Sequence, residues 1–147
     1  MGDMSGVENI FVGRYIKKHG FVDWKTLDKK AQELMDFLQC DVNLHVPVKN
    51  LRTAERQIIQ LAKAILDHPQ IVIFDELTAV LQEKDIQNIF RIIGVLKEQG
   101  IGIIYISHRL DEVFDCCDSY TVLCDGRYIN SGKVADIDKG QLVKMII

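Results

Sequence analysis

The apolar segment that ends in two carboxylates, Ile71-Val-Ile-Phe-Asp75-Glu76, constrains the fold of this chain more than any other feature. Its composition is typical of a buried strand, and a second run of this kind, residues 101–106, is followed by Ser107-His108. Between them, residues 83–99 repeat apolar side chains at helical spacing. A strand, a helix and a strand in this order predict a parallel βαβ unit, and hence an α/β fold. The carboxyl ends of both strands then share one edge of the sheet.

Asp75, Glu76 and His108 are therefore expected to lie at the edge where open α/β sheets bind their ligands. One carboxylate can hold Mg²⁺, its neighbour can polarise an attacking water, and the histidine can contact a phosphate. Each residue alone also fits a plain structural role, since many strands end in an acidic residue and many histidines are capping or surface residues. The pattern gains weight only from the combination of the three.

The loop that cradles nucleotide phosphates, G-x-x-x-x-G-K-[ST], is absent from the 147 residues. The segment Gly126–Val134 comes closest to this pattern, but it has one residue too many between its glycines. Valine also stands where Ser or Thr would have to bind Mg²⁺. This segment is predicted to be a hairpin followed by a loop.

A third candidate segment, Leu51-Arg-Thr-Ala-Glu-Arg-Gln57, opens a helical pattern that runs to about Leu66. Free N–H groups and the helix dipole favour a phosphate at such a position. Taken alone, the segment is equally an ordinary helix start with exposed charges. The other predicted elements are helices over 23–38, 110–116 and 139–146 and a hairpin that turns at Asp125-Gly126. Little in the first 66 residues predicts a strand.

Composition excludes several classes of protein. The net charge of −3 argues against a nucleic-acid surface. No apolar run approaches the roughly 18–20 residues needed to cross a bilayer, and the first residues do not resemble a signal peptide. The cysteines at positions 40, 116, 117 and 124 fit no zinc spacing and make a poor disulfide framework. Reduced cysteines in a cytosolic protein are therefore expected.

Taken together, these segments resemble the ATP-binding subunits of bacterial ATP-binding-cassette (ABC) importers for ribose, galactose and xylose. Those subunits carry two cassettes, and residues 7–147 are similar to the later half of the first. In this alignment 51–57 stand at the signature motif, 71–76 at the Walker B motif, 79–82 at the D-loop, 107–109 at the switch-histidine loop and 125–128 at the late hairpin.

The resemblance implies a partial P-loop NTPase of ABC type, whose parallel sheet lacks the phosphate-loop strand. It also implies an all-helical subdomain over 7–66 and the later part of the ATPase core over 67–147. Asp75 would position Mg²⁺ through water, Glu76 would polarise the hydrolytic water, and His108 would sense the γ-phosphate. The signature residues would contact ATP bound to a partner cassette: Arg52, Thr53, Ala54, Glu55 and Gln57.

The function implied by the resemblance is ATP hydrolysis coupled to sugar import at the cytoplasmic face of a bacterial inner membrane. The expected partners are a second cassette and transmembrane permease subunits, and the cofactors are ATP and Mg²⁺. Three features depart from the family pattern. Arg52 stands in place of a serine, Leu77 in place of a proline, and the phosphate loop, adenine-stacking aromatic and glutamine loop are missing. The chain alone is therefore expected neither to hydrolyse ATP nor to bind it tightly.

Two other functions stay open. The chain could be a non-catalytic interaction module that binds a membrane subunit or another cassette. An ABC-like ATPase of DNA repair or translation is disfavoured by the acidic charge balance and by the residues around His108. Without the phosphate-loop strand, the strands 101–106 and 120–124 would each have an unpaired edge. Self-association is the expected consequence, and the alternatives are a hairpin that moves to close the gap or partial disorder after residue 110.

Overall fold

A computed structural model describes residues 1–146, and its contacts divide the chain into two compact units. The first unit comprises residues 1–72 and 78–102, and the second comprises 73–77 and the residues from 103 onward. No helix within residues 1–146 is long and apolar enough to cross a membrane. The predicted division at residue 66 stays a prediction, since the contacts define compact units and not functional domains.

The first unit contains four α-helices: α1 (Gly6–Phe11), α2 (Trp24–Leu38), α3 (Thr53–Ile65) and α4 (Glu83–Glu98). Short polar side chains fix where two of them begin. The Ser5 hydroxyl accepts from the Glu8 N–H, and the Glu8 carboxylate accepts from the Ser5 N–H, which forms a capping box. The Asp23 carboxylate likewise accepts from the Thr26 N–H at the start of α2.

Apolar faces of α1, α2 and α3 pack together as the core of the first unit, and α1 contacts both of the other helices. Their buried side chains include Ile10, Phe11, Leu27, Met35, Leu38, Ile58 and Ile59. Gly6 allows the start of α1 to lie close to the backbone of Leu44, because a Cβ at position 6 would lie only 3.0 Å from the Leu44 Cα. The Val7 N–H donates to the Leu44 carbonyl at 3.2 Å in the same place.

The helix α4 is the predicted helix between the two strands, and it buries Ile86, Ile89, Ile92, Ile93 and Leu96. Its Arg91 side chain donates to the carbonyl oxygens of Leu38 and Gln39, each at 3.0 Å. These carbonyls belong to the last turn and C-cap of α2, where the helix leaves acceptors without intrahelical partners. Arg91 therefore caps α2 from a helix distant in sequence.

Two elements of the first unit were not predicted. The helix α1 lies in a segment left unassigned, and strands β1 (Lys17–Lys18) and β2 (Phe21–Val22) form a small antiparallel hairpin. Gly20, with φ of 86°, lies in its turn. The subdomain predicted to be all-helical thus contains this hairpin as well. Each strand of this hairpin is two residues long, which is too short to show the alternation of apolar and polar side chains that predicts a strand.

The strands β3 (Ile71–Asp75) and β4 (Gly102–Ile106) form a two-stranded sheet. The Gly102 N–H donates to the Gln70 carbonyl at their starts, and the Glu76 N–H donates to the Ile106 carbonyl at their ends. Start paired with start and end paired with end means that the strands are parallel. The predicted βαβ unit is confirmed.

The second unit contains α5 (Leu110–Cys116), β5 (Ser119–Cys124), β6 (Arg127–Lys133) and α6 (Lys139–Ile146). The strands β5 and β6 form the predicted antiparallel hairpin, whose turn residues Asp125 and Gly126 both have positive φ. Within residues 1–146 each sheet has two strands, and β4 is not paired with β5. The predicted gap is therefore present, and the hairpin does not close it by strand pairing.

Candidate functional site

The structure places Asp75 and Glu76 at the carboxyl end of β3, as predicted. Asp75 is the last residue of the strand and is exposed. Glu76 has a φ of 47°, in the left-handed region that residues other than glycine rarely adopt. Such a conformation costs about 1–3 kcal/mol and is typical of functional sites. The hydrogen bond from the Glu76 N–H to the Ile106 carbonyl, at 2.9 Å, holds the backbone in place.

His108 is brought to the same edge by β4. Its Nδ1 atom lies 3.2 Å from Glu76 Oε1, within hydrogen-bonding distance. Both side chains are exposed by more than half, so a ligand or a water can reach them from solvent. A carboxylate that faces an imidazole can accept a proton from a water while the imidazole donates to a nearby oxygen. The parallel pairing of the two strands explains the proximity of two residues 32 positions apart.

The donor set at this edge suits Mg²⁺ only in part. Mg²⁺ is commonly held by one or two carboxylates together with waters and substrate phosphates. Asp75 and Glu76 provide the carboxylates, and no group of three or more His, Cys, Asp or Glu side chains in residues 1–146 could hold a metal ion. The remaining ligands of an ion here would have to be water and nucleotide oxygens.

A buried carboxylate anchors the loop that carries His108, and sequence reasoning did not identify it as a site residue. Glu112, in the first turn of α5, is 2% exposed. Its Oε2 atom accepts from the Tyr105 hydroxyl at 2.8 Å and from the Ser107 hydroxyl at 2.7 Å. The available signal was an acidic residue in the first turn of the helix that follows the histidine.

The predicted signature segment lies at the start of α3 in the first unit. Arg52 is the N-cap residue, and its N–H donates to Glu55 Oε2 at 2.8 Å. The Arg52 guanidinium donates to Glu55 Oε1 at 3.1 Å. This side-chain hydrogen bond, more than the accompanying charge, lowers the pKa of Glu55 and raises that of Arg52. The first turn of α3 therefore already holds a carboxylate, which competes with any phosphate for the Arg52 N–H.

The other signature residues differ in exposure. Thr53 is exposed, Ala54 is half-buried, and Gln57 has a buried Oε1 atom that lacks a hydrogen-bond partner among residues 1–146. A buried amide oxygen without a donor is costly. The predicted contact of this segment with a nucleotide on another cassette remains a prediction.

Comparison with known proteins agrees with the predicted family resemblance and fold. No family model matches the chain. It is 37% identical over 145 residues to the ribose import ATP-binding protein RbsA of Caldanaerobacter subterraneus subsp. tengcongensis, which covers 98% of this chain and 29% of that protein. It is 40% identical over 143 residues to the galactose/methyl galactoside import ATP-binding protein MglA of Haemophilus influenzae, covering 97% of this chain and 28% of the relative.

Solved structures show the same fold. An ATP-binding cassette of an ABC transporter superposes with a TM-score of 0.82 at 21% identity, over 99% of this chain and 64% of that one. A dimeric cassette in a post-hydrolysis state with ADP and Pi superposes with a TM-score of 0.73 at 19% identity, over 91% of this chain and 58% of that one. The chain thus contains part of the cassette fold and spans less than a third of the length of its sugar-import relatives. Over nearly its whole length it is similar to one part of the ATP-binding proteins of bacterial sugar ABC importers.

Proposed function

We propose that this chain supplies the water-activating part of an ATPase site in a bacterial sugar import system. Glu76 polarises the hydrolytic water, His108 contacts the γ-phosphate, and Asp75 positions Mg²⁺ through water. The observation that supports this assignment best is the 3.2 Å approach of His108 Nδ1 to Glu76 Oε1 at the carboxyl ends of two parallel strands. This contact places the proposed proton acceptor, Glu76, next to the proposed phosphate-sensing residue, His108, at the edge of the sheet where this fold class binds ligands.

The chain's own residues favour the reaction by orientation. The left-handed backbone at Glu76 and its bond to Ile106 fix the direction in which the carboxylate leaves the strand. The contact between His108 Nδ1 and Glu76 Oε1 restrains both side chains. A water between the carboxylate and a phosphate would therefore find a proton acceptor that is already oriented. Mg²⁺, when bound with ATP, neutralises charge on the phosphates. The phosphates have to be bound by residues other than these 147, since the sequence has no phosphate loop.

We further propose that the helical segment 7–66 presents its signature residues to ATP held by a second cassette. Residues 67–147 would belong to the later part of the first cassette's ATPase core. Permease subunits would be the other partners, and the protein would lie at the cytoplasmic face of the inner membrane. The sugar-import relatives and the dimeric cassette with ADP and Pi support these proposals.

Reconstitution tests the proposed function. The chain is co-expressed with, or fused behind, the segment of the RbsA relative that precedes the matched region, and Mg²⁺-dependent ATP hydrolysis is measured. We expect turnover that Glu76→Gln lowers by about a hundredfold or more, because a positioned general base contributes about 10²–10⁴. Glu98→Gln, an exposed change on α4, should leave the rate unaltered. A rate that is indifferent to Glu76→Gln would contradict the assignment.

A non-catalytic interaction module is the second candidate, and the exposed isoleucines of the second unit favour it. Ile73 is 62% exposed, and Ile104 and Ile106 are each 47% exposed. Exposed apolar strands that have free edges recruit other chains. We expect light scattering to detect self-association that grows with concentration and is weakened by Ile104→Lys. The control Val80→Lys changes an exposed turn residue. A monomer at every concentration would show that these isoleucines do not bind a second copy of the chain, and would remove the observation that favours this candidate.

A further inference from the structure

Glu112 is a buried acidic residue, and three of its partners lie at or next to the histidine loop. Leaving an ionised carboxylate in an apolar environment is costly unless hydrogen bonds and an opposite charge compensate it. Tyr105 and Ser107 donate to Oε2, and Arg109 Nη1 lies 2.9 Å from Oε1. Oε2 thus accepts two hydrogen bonds, whereas Oε1 faces the Arg109 charge and forms no hydrogen bond with residues 1–146.

These partners flank His108 on both sides. Ser107 precedes it and Arg109 follows it, and the Arg109 N–H also donates to the Ser107 hydroxyl at 2.9 Å. The hydroxyl thus accepts from the loop backbone while it donates to Glu112, which ties the two neighbours of His108 to one buried point. His108 itself stays exposed and is directed at Glu76.

We propose that Glu112 is a positioning residue for His108. Its carboxylate fixes Ser107 and Arg109, and so keeps the imidazole within hydrogen-bonding distance of Glu76. The importance of this role for ATP hydrolysis rests on the proposed function, but the positioning itself is a property of the chain without nucleotide. The alternative is that Glu112 only stabilises the second unit and has no specific effect on the histidine.

The test is ¹⁵N NMR of the histidine rings in the 147-residue chain, with the His108 signal assigned by His108→Asn. Glu76→Ala gives the reference signal of a ring that has lost its carboxylate partner. We expect Glu112→Ala to move the His108 ring signals towards that reference. We also expect exchange of the Arg109 amide to accelerate about fivefold, the change that corresponds to the loss of roughly one hydrogen bond. Glu112→Gln keeps an oxygen acceptor for the two hydroxyls and should restore most of the wild-type signal.

Two further variants separate positioning from general stability. Leu142→Ala removes a buried side chain of α6 in the same unit and should leave the His108 signals in place. Ser107→Ala removes the hydrogen bond from the Ser107 hydroxyl to Glu112 and should reproduce part of the Glu112→Ala shift. The proposal therefore stays testable if Glu112→Ala does not fold. Unchanged ring signals in Glu112→Ala and Ser107→Ala, or an equal shift in Leu142→Ala, would overturn it. If Glu76→Gln leaves the rate of ATP hydrolysis in the reconstituted protein unchanged, the proposed function is overturned, but the positioning of His108 by Glu112 is not.

Discussion

The two units bury their residues in different ways. The first unit contains the largest fully buried side chains of the described residues, among them Leu27, Met35, Leu38, Ile93 and Leu96. In the second unit the buried apolar residues among those described are few and scattered, namely Phe74, Val122, Val134 and Leu142, and the acidic side chain of Glu112 is buried as well. The predicted signature segment therefore lies on a well-packed helical core, whereas the Glu76–His108 pair lies in a unit that has few buried apolar side chains and a polar network around Glu112.

The difference indicates which part of the chain opens most easily. Local stability follows buried apolar contacts, and regions poor in them exchange their amides faster. We therefore expect the Glu76–His108 edge to be the more mobile of the two candidate regions until another chain covers it.

The largest expected effect is a core truncation in the first unit. Leu38→Ala should lower the free energy of unfolding by about 2–5 kcal/mol, the usual cost of a cavity at a fully buried leucine. Urea unfolding followed by fluorescence of Trp24, the sole tryptophan, reports on this unit. Leu142→Ala in the second unit should leave the Trp24 transition in place and speed amide exchange in β5 and β6. A Trp24 transition displaced equally by both variants would remove the contrast.

A smaller loss is expected from the cap that α4 provides to α2. Arg91→Ala leaves the Leu38 and Gln39 carbonyls without the guanidinium, and should cost about 1–3 kcal/mol. Arg91→Lys should recover only part of this, because an ammonium lacks the planar fork. The same Trp24 transition measures the effect, with exposed Lys84→Ala as the matched control. A loss no greater than that of Lys84→Ala would show that the cap adds nothing to stability.

Most elements were predictable because their signals are local. Apolar spacing gave α2, α3 and α4 nearly to the residue, and Asp125-Gly126 marked the hairpin. The approach of His108 to Glu76 followed from the parallel strands alone. The Arg91 cap and the Glu112 network were missed because they depend on side-chain contacts between elements, which periodicity does not encode. The α1 helix was missed since six residues give less than two turns of pattern.

The smallest predicted effect concerns pH. Backbone hydrogen bonding at the Ser5 cap, and then the Ser5 hydroxyl, lowers the pKa of Glu8 below its ordinary value of 4.5. A carboxyl whose pKa is depressed in the folded state contributes stability above its ordinary pKa and loses it as pH falls through the folded value. Glu8→Gln should therefore be less stable than the wild type at pH 7, by at most about 1 kcal/mol.

This difference should shrink as the pH falls below 4.5, because the wild type then loses the same interaction. Trp24-monitored unfolding at several pH values measures it, and the exposed Glu98→Gln serves as control. A gap between Glu8→Gln and wild type that stays constant down to pH 3 would contradict the capping account.

We propose that these 147 residues carry the water-activating part of an ABC ATPase site, and their sequence lacks the loop that holds the phosphates. The most direct test is Mg²⁺-dependent ATP hydrolysis by the chain alone, measured beside Glu76→Gln. Electrostatic clamping of the phosphates supplies most of the catalysis in phosphoryl transfer. We therefore predict the same background rate for both proteins. Steady turnover by the wild-type chain that Glu76→Gln abolishes would contradict the claim.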